Sequence, residues 1–209
     1  MKDIVIVGYG GFAREVEWLI SRINERDKIW NFKGFIDVDT SKDNVIGDDE
    51  YVLRYDKELY VALAIGEPRI REILYKKYKE NPNIRFANLM DPSVISSKRI
   101  TLGEGNIVCA GTIITVDIEI GNCNIINLDC TIGHDVVIED YVTLNPSVNV
   151  SGNCVIGCGS NIGTGTQVIQ GKKIGKRVTI GAGAVVRENI IDNCTAVGVP
   201  AQIIKKNND

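Results

Sequence analysis

From Leu102 onward every sixth residue is aliphatic. The series runs Leu102, Val108, Ile114, Ile120, Ile126, Ile132, Ile138, Leu144, Val150, Ile156, Ile162, Val168, Ile174, Ile180, Val186. All fifteen are Ile, Val or Leu, types that fill about a third of this segment. Chance would give such a run in one frame roughly once in ten million trials, so the period is structural. Glycine follows the aliphatic residue at 103, 121, 133, 157, 163, 175 and 181, where it is expected to relieve a turn. The position four after it is often small or β-branched, as at Thr112, Cys130, Val136, Cys154, Ser160 and Ala184. Six-residue units of this kind make one short strand and one corner each, and three units close a triangular coil of 18 residues. Coils stacked at the sheet spacing of ~4.8 Å build a parallel β-helix with its aliphatic side chains inside. Lys172 stands at a normally small position and predicts a bulge or loop there. The segment NCTAVGVPAQIIKK breaks the period and is expected to fold back as a C-terminal cap.

The first part of the chain has a different rhythm. DIVIVG, FKGFIDVD and LYVALAIG read as short buried strands, and FAREVEWLISRIN and RIREILYKKYKEN as amphipathic helices. The order β-α-β-β-α predicts a small Rossmann-like domain, too short for both halves of a dinucleotide fold. The fold class is therefore α/β plus all-β. Residues 1–92 are assigned to the Rossmann-like domain, which would cover the open N-terminal end of the helix. Residues 93–209 are assigned to the β-helix and its cap.

Composition excludes several function classes. The chain is 24% charged with net charge −3, which gives no basic footprint for nucleic acid or an anionic membrane. No apolar run approaches the ~20 residues of a membrane span. The first residues lack the regions of a signal peptide, and a cytoplasmic location is expected. Six cysteines without a CxxC pair, and a single histidine, His134, give no zinc pattern, so no metal is expected.

A hexapeptide β-helix behind a domain carrying GYGGFAREV, and ending in VGVPAQII, resembles the bacterial sugar acyltransferases related to sialic-acid O-acetyltransferase. The type it most resembles is the acetyl-CoA-dependent N-acetyltransferases of nucleotide-linked 4-amino sugars. That resemblance implies a left-handed helix and a homotrimer with sites between subunits. It further implies direct acetyl transfer to the amine of a 4-amino-4,6-dideoxy type sugar, for surface polysaccharide biosynthesis. In that family a histidine of the middle coils is the general base, an acidic residue directly after it supports it, and a backbone N–H one coil on binds the oxyanion. The matching residues are His134, Asp135 and Gly152. Contacts to acetyl-CoA are implied for Thr143, Thr164 and Ala182, with Thr143 standing where the family often has a second histidine. The nucleotide sugar would meet Gly10, Gly11, Phe12, Asp37 and Gly66, with Asn127 near the sugar. Phe12 also stands where histidine is common.

The repeat supports part of this independently. His134 and Gly152 are 18 residues apart, one full coil, and so share an edge of the prism. A base and a backbone donor ~5 Å apart can serve one acyl group. Asp135 is less straightforward, because neighbours on a strand point to opposite faces. It can reach His134 only if the chain bends there, and Asp117, one coil below, is the alternative orienting group. The turn GYGGFA fits G-x-G-x-x-A after a strand and before a helix, a pattern that admits phosphate. Two other functions share these features: O-acetylation of a sugar such as sialic acid, and a non-catalytic β-helix binding or scaffold module.

Overall fold

The structure is a computed structural model that describes residues 1–206. Its first part is a five-stranded, wholly parallel sheet. In chain order the elements are β1 (Lys2–Val7), α1 (Gly11–Arg26), β2 (Trp30–Ile36), β3 (Val45–Gly47), α2 (Asp49–Leu53), β4 (Leu59–Leu63), α3 (Pro68–Tyr78) and β5 (Ile84–Phe86). The strand order is β3-β2-β1-β4-β5. Strands β3 and β5 and helix α2 go beyond the β-α-β-β-α expectation. All three are short, so none leaves a clear period in sequence. The order reverses between β1 and β4, and a doubly wound sheet has its ligand crevice at that switch point. Helix α1 buries Ala13, Val16, Leu19, Ile20 and Ile23 along one stripe against this sheet.

From Leu89 the chain winds into a triangular parallel β-helix. Its first face carries Leu89–Met90, Ile107–Val108, Ile125–Ile126, Thr143–Leu144, Asn161–Ile162 and Thr179–Ile180. The second carries Ile95–Ser96, Ile113–Ile114, Thr131–Ile132, Asn149–Val150, Gln167–Val168 and Val185–Val186. The third carries Ile100–Leu102, Ile118–Ile120, Val137–Ile138, Val155–Ile156 and Lys173–Ile174. Partners are 18 residues apart, as in Ile114↔Ile132↔Val150. The aliphatic series from Val108 to Val186 lines the interior at 3% exposure or less. Each fully buried aliphatic side chain contributes roughly 1.5–3 kcal/mol.

Three expectations are corrected. First, the turn is made elsewhere in the repeat. Every sixth residue from 105 to 183 has a positive φ, between 52° and 78°, and many of these are not glycine. The glycines directly after the aliphatic residues serve close approach between coils instead. A Cβ on Gly133 would stand 2.7 Å from the Gly152 nitrogen. Second, no bulge forms at Lys172. Its carbonyl accepts from Val155 N–H at 3.0 Å and Ile156↔Ile174 pair in register, because the lysine is only half-buried and its stem reaches solvent. Third, the N-terminal domain lies on the first face rather than over the end. Ile107, Cys109 and Ile125 join its core, while Met90, Val94, Ile100 and Leu102 of the end coil are only partly buried. At the other end the last coil is two residues shorter, Thr179 pairing with Thr195, and the strands Cys194–Val197 and Gln202–Lys206 close it as an antiparallel hairpin.

Candidate active site at the His134 corner

His134 and Asp135 occupy the corner between the second and third faces. Asp135 adopts φ 57°, the left-handed conformation every coil uses at this point. That bend cancels the alternation of a strand, so the two neighbours meet. His134 Nδ1 lies 2.7 Å from Asp135 Oδ2. With its proton on Nδ1, the imidazole donates to the carboxylate and leaves Nε2 as a bare acceptor. The ring is half exposed, and its Nε2 edge overlies Gly152: a Cβ there would fall 2.4 Å from Nε2. Among the described residues the Gly152 N–H donates to no acceptor. Asp117 is engaged elsewhere, in a bidentate pair with Arg99. The corner thus gathers an acceptor nitrogen, a carboxylate behind it and an open backbone donor.

A second group gathers at the carboxyl ends of β1, β2 and β4. The turn at 8–11 follows β1, Asp37 follows β2 and Gly66 follows β4, so three distant segments meet at the switch point. Gly8 is glycine for internal reasons, with φ 105° and Ala64 O at 3.1 Å from its missing Cβ. Gly10 and Gly66 are not: neither has a left-handed φ, and a Cβ on either would meet nothing within 4 Å. Their bare backbone fits a ligand lying against them. Asp37 accepts from Lys42 Nζ at 2.9 Å, and Lys42 also stands 5.1 Å above the Tyr9 ring. Phe12 is half-buried against the α1 core.

Thr164 and Ala182 are exposed at the corner between the first and second faces, one coil apart. Thr143 is not with them. It is 3% exposed beneath the N-terminal domain, and its hydroxyl donates to Gly66 O at 2.8 Å. Asn127 lies at the same corner, in the column of Gly163, and its side-chain carbonyl oxygen accepts from Leu128 N–H at 2.7 Å. No motif marks Lys42, and Arg71 of α3, whose guanidinium donates to Ile65 O and Gly66 O in the turn after β4, looks like any helical arginine.

Residues 3–78 match the family model described as the PglD N-terminal domain. The whole chain superposes on a histidine-to-asparagine variant of perosamine N-acetyltransferase from Caulobacter crescentus, solved with CoA and GDP-perosamine. The TM-score is 0.91, with 31% identity and 98% of both chains covered. The chain belongs to the hexapeptide β-helix sugar acetyltransferases. The acetyltransferase domain of PglB from Neisseria gonorrhoeae, in complex with acetyl coenzyme A, matches at TM-score 0.90 and 27% identity, over 97% of this chain and 99% of that one. WeeI from Acinetobacter baumannii matches at 0.87 and 27%, over 98% and 100%. Among curated relatives, the serine acetyltransferase of Buchnera aphidicola is 37% identical over 84 residues, 36% of this chain. The match spans about a third of that relative, 32% of its length.

The chain shares the left-handed β-helix of these acetyltransferases. The first face lies under the N-terminal domain, whereas the His134 corner is the edge opposite that face. One chain therefore carries the glycine turn and His134 on opposite sides of the prism. The cysteines offer no competing nucleophile. Burial pushes the thiols of Cys109 and Cys123 up to about 12 and that of Cys130 up to about 11. No helix is long and apolar enough to cross a membrane among the described residues.

Proposed function

We propose that the protein transfers the acetyl group of acetyl-CoA to the amino group of a nucleotide-linked 4-amino-4,6-dideoxy type sugar, for surface polysaccharide biosynthesis. One observation carries the proposal. The His134–Asp135 pair overlies Gly152 on a chain that matches, end to end, a sugar N-acetyltransferase solved with CoA and a nucleotide sugar.

The amine attacks the thioester carbonyl of acetyl-CoA. His134 Nε2 takes the proton that the nitrogen sheds as the C–N bond forms. Asp135, on Nδ1, holds the ring's tautomer and supports the imidazolium. The Gly152 N–H faces the oxygen that gains charge in the tetrahedral intermediate. Collapse of the intermediate breaks the C–S bond, and the proton held by His134 neutralises the thiolate, so no acyl-enzyme forms. Acetyl-CoA lies along the corner of Thr164 and Ala182, and the nucleotide lies against Gly10, Gly11 and Gly66, bounded by Phe12 and Asp37. Asn127 contributes a contact to the sugar.

Because the glycine turn and His134 lie on opposite sides of one prism, a complete site takes the turn from one subunit and the histidine from another. Ile95 and Ile113 on the second face, and Val116 and Ile169 at the His134 edge, are exposed and supply apolar surface for that packing. A homotrimer satisfies both requirements.

The test is acetyl-CoA consumption over a panel of uridine-, thymidine- and guanosine-linked amino sugars, with matched hydroxyl sugars beside them. The proposal expects turnover with an amine acceptor. Turnover with hydroxyl acceptors alone would favour O-acetylation, and no turnover with any acceptor would favour a non-catalytic module.

A further inference from the structure

Among the described residues the most buried charged one is Arg71, on α3, at 1% exposure. It forms no ion pair with any described carboxylate. Its guanidinium instead donates to five backbone carbonyls from two parts of the chain. Nη1 reaches Ile65 O at 2.7 Å and Gly66 O at 2.9 Å, in the turn after β4. Nε reaches Cys123 O at 3.0 Å, and Nη2 reaches Tyr141 O at 2.8 Å and Val142 O at 3.1 Å, in the β-helix. Burial lowers this guanidinium to about 10, so it stays charged at neutral pH. Only the planar fork of arginine supplies five donors in this geometry.

The same Gly66 carbonyl accepts a further bond, from Thr143 Oγ1 at 2.8 Å. The next residue after Val142 is Thr143, so arginine and threonine join one strand of the helix to one turn of the N-terminal domain. The inner side of Gly66 is thus fixed twice, while its outer side is open, with nothing within 4 Å of a Cβ built there. A turn held from behind and bare in front is built to present its backbone to a ligand.

We propose that Arg71 and Thr143 are positioning residues for the nucleotide-sugar pocket. They lock the Gly66 turn onto the β-helix, and Thr143 serves the nucleotide sugar rather than acetyl-CoA. This rests on the nucleotide-sugar acceptor proposed above. It departs from what the family resemblance implies for Thr143. A threonine 3% exposed, with its proton committed to Gly66 O, has no free surface for a pantetheine chain.

The experiment uses the intact protein and its Thr143→Val, Thr143→Ser and Arg71→Lys variants. Calorimetric titrations with CoA and with UDP, GDP and dTDP are run beside steady-state kinetics. Thr143→Val keeps the shape and loses one hydrogen bond, so the nucleotide-sugar KM and the nucleotide Kd should rise about three- to tenfold. The acetyl-CoA KM, CoA affinity and kcat should stay within about twofold, and Thr143→Ser should restore the nucleotide values. Arg71→Lys should shift the same parameters further, in the same direction. A rise in the acetyl-CoA KM for Thr143→Val, or equal loss for both substrates, would overturn the inference while leaving the proposed reaction intact. Wild-type protein that binds CoA but none of the three nucleotides would overturn the acceptor itself, and this inference with it.

Discussion

The Gly152→Ala substitution separates the geometry of the His134 corner from its chemistry. Gly152 does not have a left-handed φ, so alanine is allowed by the backbone. The new Cβ would lie 2.4 Å from His134 Nε2, 2.5 Å from Cε1 and 2.8 Å from Cδ2, whereas ordinary contact begins near 3.4 Å. Something must move by about 1 Å, and the imidazole is the soft partner, since its side chain is 50% exposed. Swinging it outward should change stability by no more than about 0.5 kcal/mol. Misplacing a catalytic group by ~1 Å costs about 10²-fold in rate, or roughly 2.7 kcal/mol of barrier. The Gly152 N–H survives in alanine, so the loss reports ring position and not the donor. The assay is initial-rate release of free CoA with a saturating amino-sugar acceptor, alongside thermal melts. The expected result is an unchanged Tm with kcat about 10²-fold lower. In a His134→Ala background the same change should cost almost nothing, because both act through one ring. A kcat within twofold of wild type, or additive losses in the double variant, would refute the reasoning.

The remaining expectations concern the neighbouring charges. Asp135→Asn should lower kcat about 10- to 100-fold, since the amide cannot support an imidazolium. Asp117→Asn should leave turnover within about twofold, since that carboxylate is held by Arg99; paired rate measurements on the two variants decide between them. Two carboxylates tie the domains together, Asp91 to Arg22 and Glu104 to Tyr75 and Lys79. Burial alone would raise both, but hydrogen bonds from Arg22 and Ser93 to Asp91, and from Lys79 and Tyr75 to Glu104, hold them below the usual carboxylate range. Their stabilisation is therefore present above about pH 4 and lost as pH falls through the depressed values. Melting temperature should be flat from pH 8 to 5 and drop below about pH 4, with a shallower drop in Asp91→Asn.

The β-helix was legible because one side chain in six points into a narrow prism, and that demand repeats without interruption from Leu102 to Val186. The pairing of coil positions followed from the same arithmetic, and so did the juxtaposition of His134 with Gly152. Asp135 is ambiguous in sequence because side-chain direction depends on backbone conformation, and the left-handed corner is filled by Asp, Asn, Ser, Tyr, Cys and Arg as well as Gly. Identity alone could not mark it. The paired-coil glycines are ambiguous for a related reason: close coil contact and a positive φ both select glycine, and residue identity does not distinguish them. Thr143 and Arg71 were opaque because their partners lie 77, 70 and 52 residues away, across a domain junction with no period of its own.

His134 as the general base of an acetyl transfer to a nucleotide-linked amino sugar is tested most directly by the turnover number of His134→Ala on whichever nucleotide-linked amine the wild type accepts, measured at saturating acetyl-CoA. With a general base lost, kcat should fall by about 10²-fold or more with both KM values little changed. Turnover close to that of the wild type would contradict it.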